Sequence, residues 1–362
     1  MTDKALHNYD KLAFKEALIY WYEKNKRDLP WRKTTNPYYI WVSEIMLQQT
    51  KVDTVIDYYK RFLQKYPTII DLAEAEEQDV LKVWEGLGYY SRARNLHAAA
   101  KEVVERYNGI VPNDPSLLGE LKGIGPYTKG AVSSIAFGLP EPAVDGNVMR
   151  VLSRVLLIQD NISESRTRKR FEHLVRELIC HTDPSAFNQG LMELGALICT
   201  PTSPACLLCP VQEYCRAFDA GVVDELPVKQ KKKKQRVEQY VVLLLQNDAE
   251  QVAIEQRPSE GLLANMWQFP MIEKVIFEEG ILHESIKDKH DIDINMGTKL
   301  GEVRHIFSHI IWELEIYAAE TNATSTLKNE LQFVDMQKLS EYPISVSHLK
   351  IKEYLQTSST SK

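Results

Sequence analysis

The spacing of apolar residues predicts helices through most of the first part of the chain. In residues 11–26, apolar side chains such as Phe14 and Leu18 recur at the period of an amphipathic helix. Residues 38–49 differ, because apolar side chains occupy nearly every position. A helix that is apolar on all sides should be buried. This part of the chain is therefore predicted to be mainly α-helical.

Further along, the pattern changes to that of β-strands. Residues 237–246 form a strand-like apolar run, and residues 251–256 follow as a second predicted strand. The segment just before them contains Pro227 and the lysine-rich run 229–234, which is typical of a solvated linker and less often contacts a DNA backbone. The predicted domains are a helical region over 1–225, a linker over 226–236 and an α+β domain over 237–356.

Composition excludes a membrane-spanning protein and leaves DNA binding open. The 362-residue chain has a formal net charge of −6, which gives no overall sign of a nucleic-acid ligand. Attraction to DNA depends on local patches, however, so an acidic total does not exclude it. No apolar run is long enough to span a membrane, and residues 1–10 are polar without the apolar core of a signal peptide. We therefore expect a cytoplasmic protein.

Glu44 interrupts the apolar helix predicted over residues 38–49. An acid in such a helix is unfavourable unless a cation pairs with it or a raised pKa keeps it neutral. A salt bridge to a nearby arginine would meet the first condition. A raised pKa would make Glu44 a general acid near neutral pH. The residues alone leave both interpretations open.

Residues 121–128, Leu-Lys-Gly-Ile-Gly-Pro-Tyr-Thr, predict a tight hairpin between two helices. Gly123 and Gly125 flank one apolar residue, and small residues at this spacing let a backbone approach its partner closely. A helix that begins near Pro126 would present unpaired N–H groups to a phosphate. Asp145 lies ahead of a further helical pattern, where a helix cap is the commonest role. Next to such a hairpin, its carboxylate would also be able to face a sugar ring.

Four of the five cysteines fall in the spacing C-x6-C-x2-C-x5-C, which predicts a metal site. Structural zinc sites more often contain two short Cys-x2-Cys pairs, and this run contains one. Ligation of a [4Fe–4S] cluster by four cysteines is the better fit. Disulfides are not expected in a cytosolic chain. The candidate ligands are Cys199, Cys206, Cys209 and Cys215, and Cys180 is predicted to be a buried thiol outside the site.

Together these motifs resemble the helix-hairpin-helix DNA glycosylase superfamily. The hairpin followed by Val-Asp-Gly-Asn at residues 144–147 resembles the motif of the whole superfamily, and the cysteine spacing resembles its cluster loop. Residues 43–50, Ser-Glu-Ile-Met-Leu-Gln-Gln-Thr, resemble the signature of the MutY-type adenine-specific branch. The resemblance covers nearly the whole chain. It implies a two-lobed helical glycosylase fold with a [4Fe–4S] loop and a C-terminal α+β Nudix-like domain.

The resemblance implies four residues that act on the glycosidic bond. Glu44 is expected to donate the proton, Asp145 to stabilise or attack the sugar, and Tyr127 and Asn147 to orient this pair. Tyr127 stands where the endonuclease III branch has a lysine that forms a Schiff base and cuts the strand. A phenol cannot form that imine. We therefore expect base removal with little or no strand cleavage.

The resemblance also implies residues that hold DNA. Gly123 and Gly125 are expected to bind the backbone, and Tyr89, in Gly-Leu-Gly-Tyr-Tyr, to insert between bases while the target base is extruded. Contacts to the extruded adenine or the duplex are implied for Arg27, Leu29, Trp31, Arg32, Gln48, Gln49, Thr50 and Gln189.

Residues 261–270 resemble the Nudix-like domain of MutY-type proteins. A Nudix hydrolase would carry a helix with a run of glutamates for metal and pyrophosphate, and this chain lacks that array. The domain is therefore expected to recognise DNA. Phe307, Ser308 and His309 lie between two strand-like segments, and the resemblance implies that they recognise 8-oxoguanine.

The sequence thus predicts an adenine DNA glycosylase that acts on duplex DNA with adenine opposite 8-oxoguanine or guanine. We expect a monomer, associated with the nucleoid in the cytoplasm. One rival is a bifunctional endonuclease III-like enzyme for oxidised pyrimidines, which Tyr127 and the second domain disfavour. The other is a non-catalytic iron–sulfur DNA-binding module. Adenine release and strand cleavage on one mispaired duplex distinguish all three.

Overall fold

The computed structural model describes residues 3–230, 234–324 and 331–358. They divide into two compact units, and the predicted lysine-rich linker falls partly outside them, at residues 231–233. The described residues of Met1–Glu74 and Asn95–Lys232 form the first unit, and those of Ala75–Arg94 and Lys233–Lys362 form the second. Residues 75–94 therefore group with the C-terminal part of the chain, whereas the predicted boundaries put them in the helical region.

Helices build almost all of the first unit. Within the described ranges, none of them is both long and apolar enough to cross a membrane. The α-helices of both units, in chain order, are α1 (Lys11–Asn25), α2 (Pro37–Leu47), α3 (Val52–Lys65), α4 (Ile69–Glu74), α5 (Glu77–Trp84), α6 (Ser91–Tyr107), α7 (Pro115–Glu120), α8 (Pro126–Phe137), α9 (Gly146–Val155), α10 (Ser165–Leu178), α11 (Pro184–Leu197), α12 (Arg216–Asp219), α13 (Lys274–Glu278), α14 (Leu282–His290) and α15 (Val346–Ser358). Of these, α5, α13, α14 and α15 belong to the second unit.

Short polar side chains fix where several of these helices begin. Asn36, Asp114, Asp145 and Asp183 each accept a hydrogen bond from an N–H group of the first turn that follows. Such a cap satisfies a donor that has no partner within the helix. Proline follows Asn36, Asp114 and Asp183 directly, at the first helical position, where the missing N–H costs nothing.

A shared hydrophobic core holds α1, α9 and α11 together in the first unit. Phe14 and Leu18 of α1, Val148 and Leu152 of α9, and Leu191 of α11 are fully buried in it. The loss of water contact by such side chains stabilises the packing by roughly 1.5–3 kcal/mol each. The N-terminal end of α9 is therefore held firmly against α11.

The predicted hairpin joins α7 to α8. Gly123 has φ +78°, a conformation that side chains rarely adopt, and a Cβ atom there would lie 2.6 Å from the Cβ atom of Asn95. Both the backbone angle and the close approach therefore require glycine. After the hairpin, α8 begins at Pro126, as the sequence predicts.

A mixed β-sheet organises the second unit. The strands are β1 (Arg236–Asn247), β2 (Val252–Gln256), β3 (Trp267–Gln268), β4 (Met271–Glu273), β5 (Asn295–Ile306), β6 (Ile310–Thr321) and β7 (Leu331–Val334). The main order is β3-β2-β1-β6-β5, with β4 paired to β1 and β7 paired to β2. β1 and β6 run parallel, and β5 and β6 form an antiparallel hairpin around residues 307–309.

The sheet is buried on both faces, which explains the continuous apolar run of β1. Val242 and Leu244 pack into the core that contains Ile351 of α15. Val241 and Leu243 pack into the opposite core with Ile286 of α14. Because successive side chains of a strand point to opposite faces, a strand covered on both sides loses the alternating polar pattern.

Two local expectations are wrong. The helix predicted to end at Gln49 ends at Leu47, because Gln49 takes the left-handed conformation with φ 58°. Cys180 is half-exposed and its thiol lies 3.2 Å from the hydroxyl of Thr182, so it is not a buried thiol.

Candidate active site

Most of the predicted site residues line one pocket of the first unit. The pocket lies between α2, α8 and α11, and the hairpin and the turn that caps α9 also contribute to its wall. Predicted residues at its wall are Arg27, Leu29, Trp31, Arg32, Glu44, Gln48, Gln49, Thr50, Gly123, Gly125, Tyr127, Asp145, Asn147 and Gln189. The first unit thus brings together residues that are up to 162 positions apart in the sequence, from Arg27 to Gln189.

Glu44 is the acid of α2 that faces this pocket. Its residue is 5% exposed, and its Oε2 atom accepts a hydrogen bond of 2.6 Å from the hydroxyl of Tyr127. Burial raises the pKa of Glu44 to about 7, and the nearby carboxylate of Asp145 adds to that rise. The hydrogen bond from Tyr127 and the charge of Arg32 oppose it. A carboxyl group with such a pKa carries a transferable proton near neutral pH.

Tyr127 lies in the first turn of α8, directly after Pro126. Burial and the neighbouring carboxyl groups of Glu44 and Asp145 raise the pKa of Tyr127 well above its ordinary value. The phenol therefore keeps its proton and remains a hydrogen-bond donor. Its oxygen also lies 3.6 Å from the sulfur of Met192 on α11, which packs the ring between α8 and α11.

Asp145 is both the cap of α9 and a wall residue of the pocket. Its Oδ1 accepts the backbone N–H of Val148 at 2.7 Å, and its Oδ2 accepts the side-chain amide of Asn147 at 2.8 Å. Burial raises the pKa of Asp145, and these hydrogen bonds oppose the rise by stabilising the ionised form. The cap therefore holds Oδ1, the Asn147 amide holds Oδ2, and the carboxylate has a fixed orientation at the pocket wall.

Arg150 fixes the other end of Asn147 and was not expected from the sequence. Its Nη2 donates to the side-chain oxygen of Asn147 at 2.9 Å and to the backbone oxygen of Gly195 at 2.7 Å. Its Nε donates to the backbone oxygen of Cys199 at 2.8 Å. The orientation of Asp145 is thus determined through Asn147 by a buried arginine that is anchored on α11 and the loop after it.

Two glutamine side chains of the pocket wall each donate a hydrogen bond to the hydroxyl of a nearby residue. Gln48, just after α2, donates to the hydroxyl of Thr128 at 3.2 Å. Gln189 of α11 donates to the hydroxyl of Ser185, one turn earlier, at 3.0 Å. Both amides lie at the pocket, where a ligand would compete for these hydrogen bonds.

The four predicted ligand cysteines line a second cavity, between α9, α11 and the loop that follows α11. In the described part of the chain, no three His, Cys, Asp or Glu side chains meet at a point that would hold a single metal ion. Arg154 supplies a buried guanidinium, whose Nη1 lies 3.3 Å from the sulfur of Cys199. A cation beside thiols that surround a cavity suits a [4Fe–4S] cluster, which binds each thiolate at a different iron. Cys199, Cys206, Cys209 and Cys215 would hold the cluster and, once bound to iron, fix the loop to the helices.

Three families match successive parts of the chain. Residues 42–177 match the HhH-GPD superfamily base excision DNA repair protein, and residues 199–215 match the iron–sulfur binding domain of endonuclease III. Residues 241–354 match the NUDIX domain. The first match contains Glu44, Tyr127 and Asp145, and the second begins and ends at a cysteine of the predicted cluster site.

Curated relatives cover most of the chain. The adenine DNA glycosylase of Arabidopsis thaliana is 40% identical over 81% of this chain and 55% of its own length. Those of Rattus norvegicus and Schizosaccharomyces pombe are 37% and 32% identical, over 88% and 96% of this chain and 73% and 91% of their own lengths. The chain belongs to the adenine DNA glycosylase family. The chain spans about half the length of the Arabidopsis relative and most of the other two.

The family matches confirm four predictions made from the sequence. These are the MutY-type family, the fold class, the enzyme class (DNA N-glycosylase) and the [4Fe–4S] cofactor. Solved structures agree for the helical part. A thermostable thymine-DNA glycosylase is 29% identical with a TM-score of 0.53, over 59% of this chain and 99% of its own. A trapped endonuclease III–DNA covalent intermediate is 25% identical with a TM-score of 0.50, over 61% and 99%.

In this family member, Tyr89 and the 307–309 loop both belong to the second unit and contact each other. Tyr89 is 43% exposed and has φ 49°, so its backbone is held in a left-handed conformation. Its hydroxyl lies 2.8 Å from that of Ser308. Phe307 packs against Trp312 with ring centroids 4.9 Å apart, and His309 is exposed. The two segments expected to contact DNA are therefore joined by a hydrogen bond between their tips.

In the NUDIX-type domain, α14 contains one glutamate, Glu284. Lys289 of the same helix forms an ion pair of 2.6 Å with the buried carboxylate of Glu255 on β2.

Proposed function

We propose that this protein removes adenine from duplex DNA in which adenine is mispaired with 8-oxoguanine or guanine, and that it acts as a monomer. The observation that carries the proposal is the convergence of Glu44 and Asp145 on one pocket, with Glu44 bonded to Tyr127 at 2.6 Å. DNA as the ligand is supported by the adenine DNA glycosylase relatives and by the similar endonuclease III structure, which is a complex with DNA. A base can enter such a pocket only after it leaves the stack, so the nucleotide must flip out.

In the first step, Glu44 gives its proton to N7 of the extruded adenine. The C1′–N9 bond then breaks, and its electron pair goes to N9 of the departing base. Protonation is needed because adenine without it is a poor leaving group. A pKa of about 7, raised by burial, suits Glu44 to this role near neutral pH.

In the second step, Asp145 meets the oxocarbenium-like sugar that remains. A carboxylate oxygen forms a bond to C1′, and this covalent intermediate is then attacked by water. Ionised Glu44 takes the proton from that water, Asp145 leaves, and the configuration at C1′ is retained overall. Tyr127 and Asn147 orient the two carboxyl groups through the hydrogen bonds described above.

Strand cleavage is not part of the proposal. A lyase step requires an amine that attacks C1′ to form an imine, and Tyr127 stands at the place of the lysine in the related endonuclease III branch. Tyr89 is proposed to insert between bases, and Phe307, Ser308 and His309 to recognise 8-oxoguanine opposite the extruded adenine. The exposure of Tyr89 and the bond between Tyr89 and Ser308 support a shared surface for these two tasks.

The test compares Glu44→Gln, Asp145→Asn and a surface control, Glu16→Gln, in single-turnover assays on one mispaired duplex. We expect both pocket variants to bind the duplex as the parent does while adenine release falls by at least about a thousandfold, as is common when an acid or nucleophile is removed. The surface control should be unaffected. Near-normal release by Glu44→Gln removes Glu44 from the acid role, and strand cleavage by the parent favours the endonuclease III-like rival.

A further inference from the structure

Glu193 is a buried acid at the wall of the pocket, and the proposed chemistry gives it no role. Its side chain is 1% exposed. Its carboxylate accepts hydrogen bonds from the backbone N–H, Nε and Nη2 of Arg27 at 3.0, 2.9 and 2.7 Å. It also accepts bonds from Nη1 and Nη2 of Arg32, both at 2.9 Å. One carboxylate therefore faces two guanidinium groups.

We propose that Glu193 is a positioning residue of the excision site, which holds Arg27 and Arg32 on the pocket wall and compensates their charge beside Glu44. The inference rests on the proposed function, because it concerns the proton that Glu44 carries. Helical spacing puts Glu193 on the inner face of α11, and the residues of that face at the pocket are Gln189, Met192, Glu193 and Ala196.

Arg32 is held from several sides, so its charge cannot move away from the pocket. Besides its two bonds to Glu193, its Nη1 donates to the backbone oxygen of Arg27 at 3.0 Å. Its guanidinium lies 5.4 Å from the centroid of the Tyr22 ring, and Tyr22 is buried. A bidentate pair of this kind fixes both the position and the plane of an arginine.

The charge of Arg32 acts on Glu44. The charged or titratable groups that face Glu44 are Tyr127 from α8, Asp145 from the cap of α9, and Arg32 from the 3-10 turn Pro30–Arg32. Burial and Asp145 raise the pKa of Glu44, whereas Tyr127 and Arg32 lower it. An arginine without a compensating acid would lower it further, and Glu44 would lose its proton at a lower pH.

Glu193 keeps its negative charge over the range in which Glu44 titrates. Its burial opposes ionisation, but the hydrogen bonds from Arg27 and Arg32 lower the pKa of Glu193 to about 2. The compensation is therefore constant near neutral pH, and only Glu44 changes its charge there. Loss of the Glu193 charge should consequently appear as a shift of the pH profile in addition to any loss of rate.

The experiment measures single-turnover adenine release from pH 5 to 9 for three variants. Glu193→Gln should move the alkaline limb of the pH–rate profile to lower pH by about one unit, which corresponds to about a tenfold loss of rate at alkaline pH. Arg32→Gln removes the opposite charge and should move the limb to higher pH. The double variant restores the balance, and its limb should return close to that of the parent.

A limb that stays at the parent's pH in all three variants overturns the proposal, whatever their loss of rate. Should Glu193→Gln fail to fold, Arg32→Gln is compared with the double variant, in which both charges of the buried Glu193–Arg32 pair are removed together and the partner lost by Arg27 affects a side chain that is 34% exposed. The proposal requires the limb of the double variant to lie at lower pH. Glu44→Gln separates this proposal from the proposed function, because retained release by Glu44→Gln refutes the acid role itself.

Discussion

Glu44 is surrounded by apolar neighbours on α2, and the same burial that makes it an acid costs stability. The ordinary pKa of 4.5 applies in the unfolded chain, and in the folded protein burial raises it to about 7. Below pH 4.5 the group is protonated in both states. As the pH rises from 4.5 to about 7, Glu44 ionises in the unfolded chain before it ionises in the folded protein. The folded protein therefore loses up to about 3 kcal/mol of stability relative to the unfolded chain.

Glu44→Gln should therefore stabilise the protein more at alkaline than at acidic pH. Glutamine keeps the size of the side chain and an acceptor for Tyr127, and it does not ionise. We expect the thermal midpoint of the variant, relative to the parent, to be several degrees higher at pH 8.5 than at pH 5. Glu16→Gln, on the exposed side of α1, should show no such difference. An equal effect at both pH values would mean that Glu44 is already ionised at pH 5.

At the scale of elements, the packing of α11 against the start of α9 depends on one glycine. A Cβ atom at Gly195 would lie 2.7 Å from the Cβ atom and 3.3 Å from the Cα atom of Asn147. Real Cβ atoms do not approach so closely, so Asn147 would have to move. Asn147 donates to Asp145, and its displacement would release one oxygen of that carboxylate.

Gly195→Ala is expected to slow adenine release by about tenfold or more, because a displaced Asn147 no longer orients Asp145 and a loss of about 1.4 kcal/mol of transition-state stabilisation is tenfold in rate. Single-turnover release and duplex affinity measure the effect, and iron content verifies that the cluster is retained. Gly119→Ala on α7 is the matched control, because its Cβ atom would meet only the flexible side chain of Lys129 at 3.4 Å. Release by Gly195→Ala at the parent rate would show that the Asn147 bond does not orient Asp145.

The sequence predicts those parts of the pocket that short motifs carry. Glu44, the hairpin glycines and Asp145 each stand in a local pattern whose chemistry can be argued from neighbouring residues. Glu193 was missed because both arginines that it binds lie more than 160 positions away in the sequence. Arg150 was missed because two of its three partners lie 45 and 49 positions away. One signal for Glu193 was present, since it is a lone acid in the largely apolar stretch 190–198, as Glu44 is in residues 38–49.

At the scale of the whole molecule, the second unit includes a segment that precedes its sheet by more than a hundred residues. Gln78 accepts a hydrogen bond of 3.0 Å from the indole of Trp267, and Glu85 accepts one of 2.8 Å from the backbone of Ile344. Lys82 donates to the backbone oxygen of Tyr342 at 3.0 Å. Neither composition nor periodicity changes at residues 75 or 94, so the sequence gives no indication of this grouping.

That grouping makes Tyr89 and Ser308, 219 positions apart, hydrogen-bond partners within one unit. Each hydroxyl orients the other, so removal of either group should disturb the same interaction. We expect Tyr89→Phe and Ser308→Ala each to reduce the preference for 8-oxoguanine over guanine opposite a non-cleavable adenine analogue. The double variant should lose no more than the larger single effect, with a coupling of about 0.5–1.5 kcal/mol.

Duplex affinities measured with each opposite base give the coupling energy. The matched cycle pairs Tyr89→Phe with His309→Ala, because the described residues include no hydrogen bond between those two side chains. His309 stands next to Ser308, so this cycle reports any general disturbance of the loop and should be additive. Additive losses in the Ser308 cycle as well would mean that Tyr89 and Ser308 contact DNA independently, and that their bond does not position the loop.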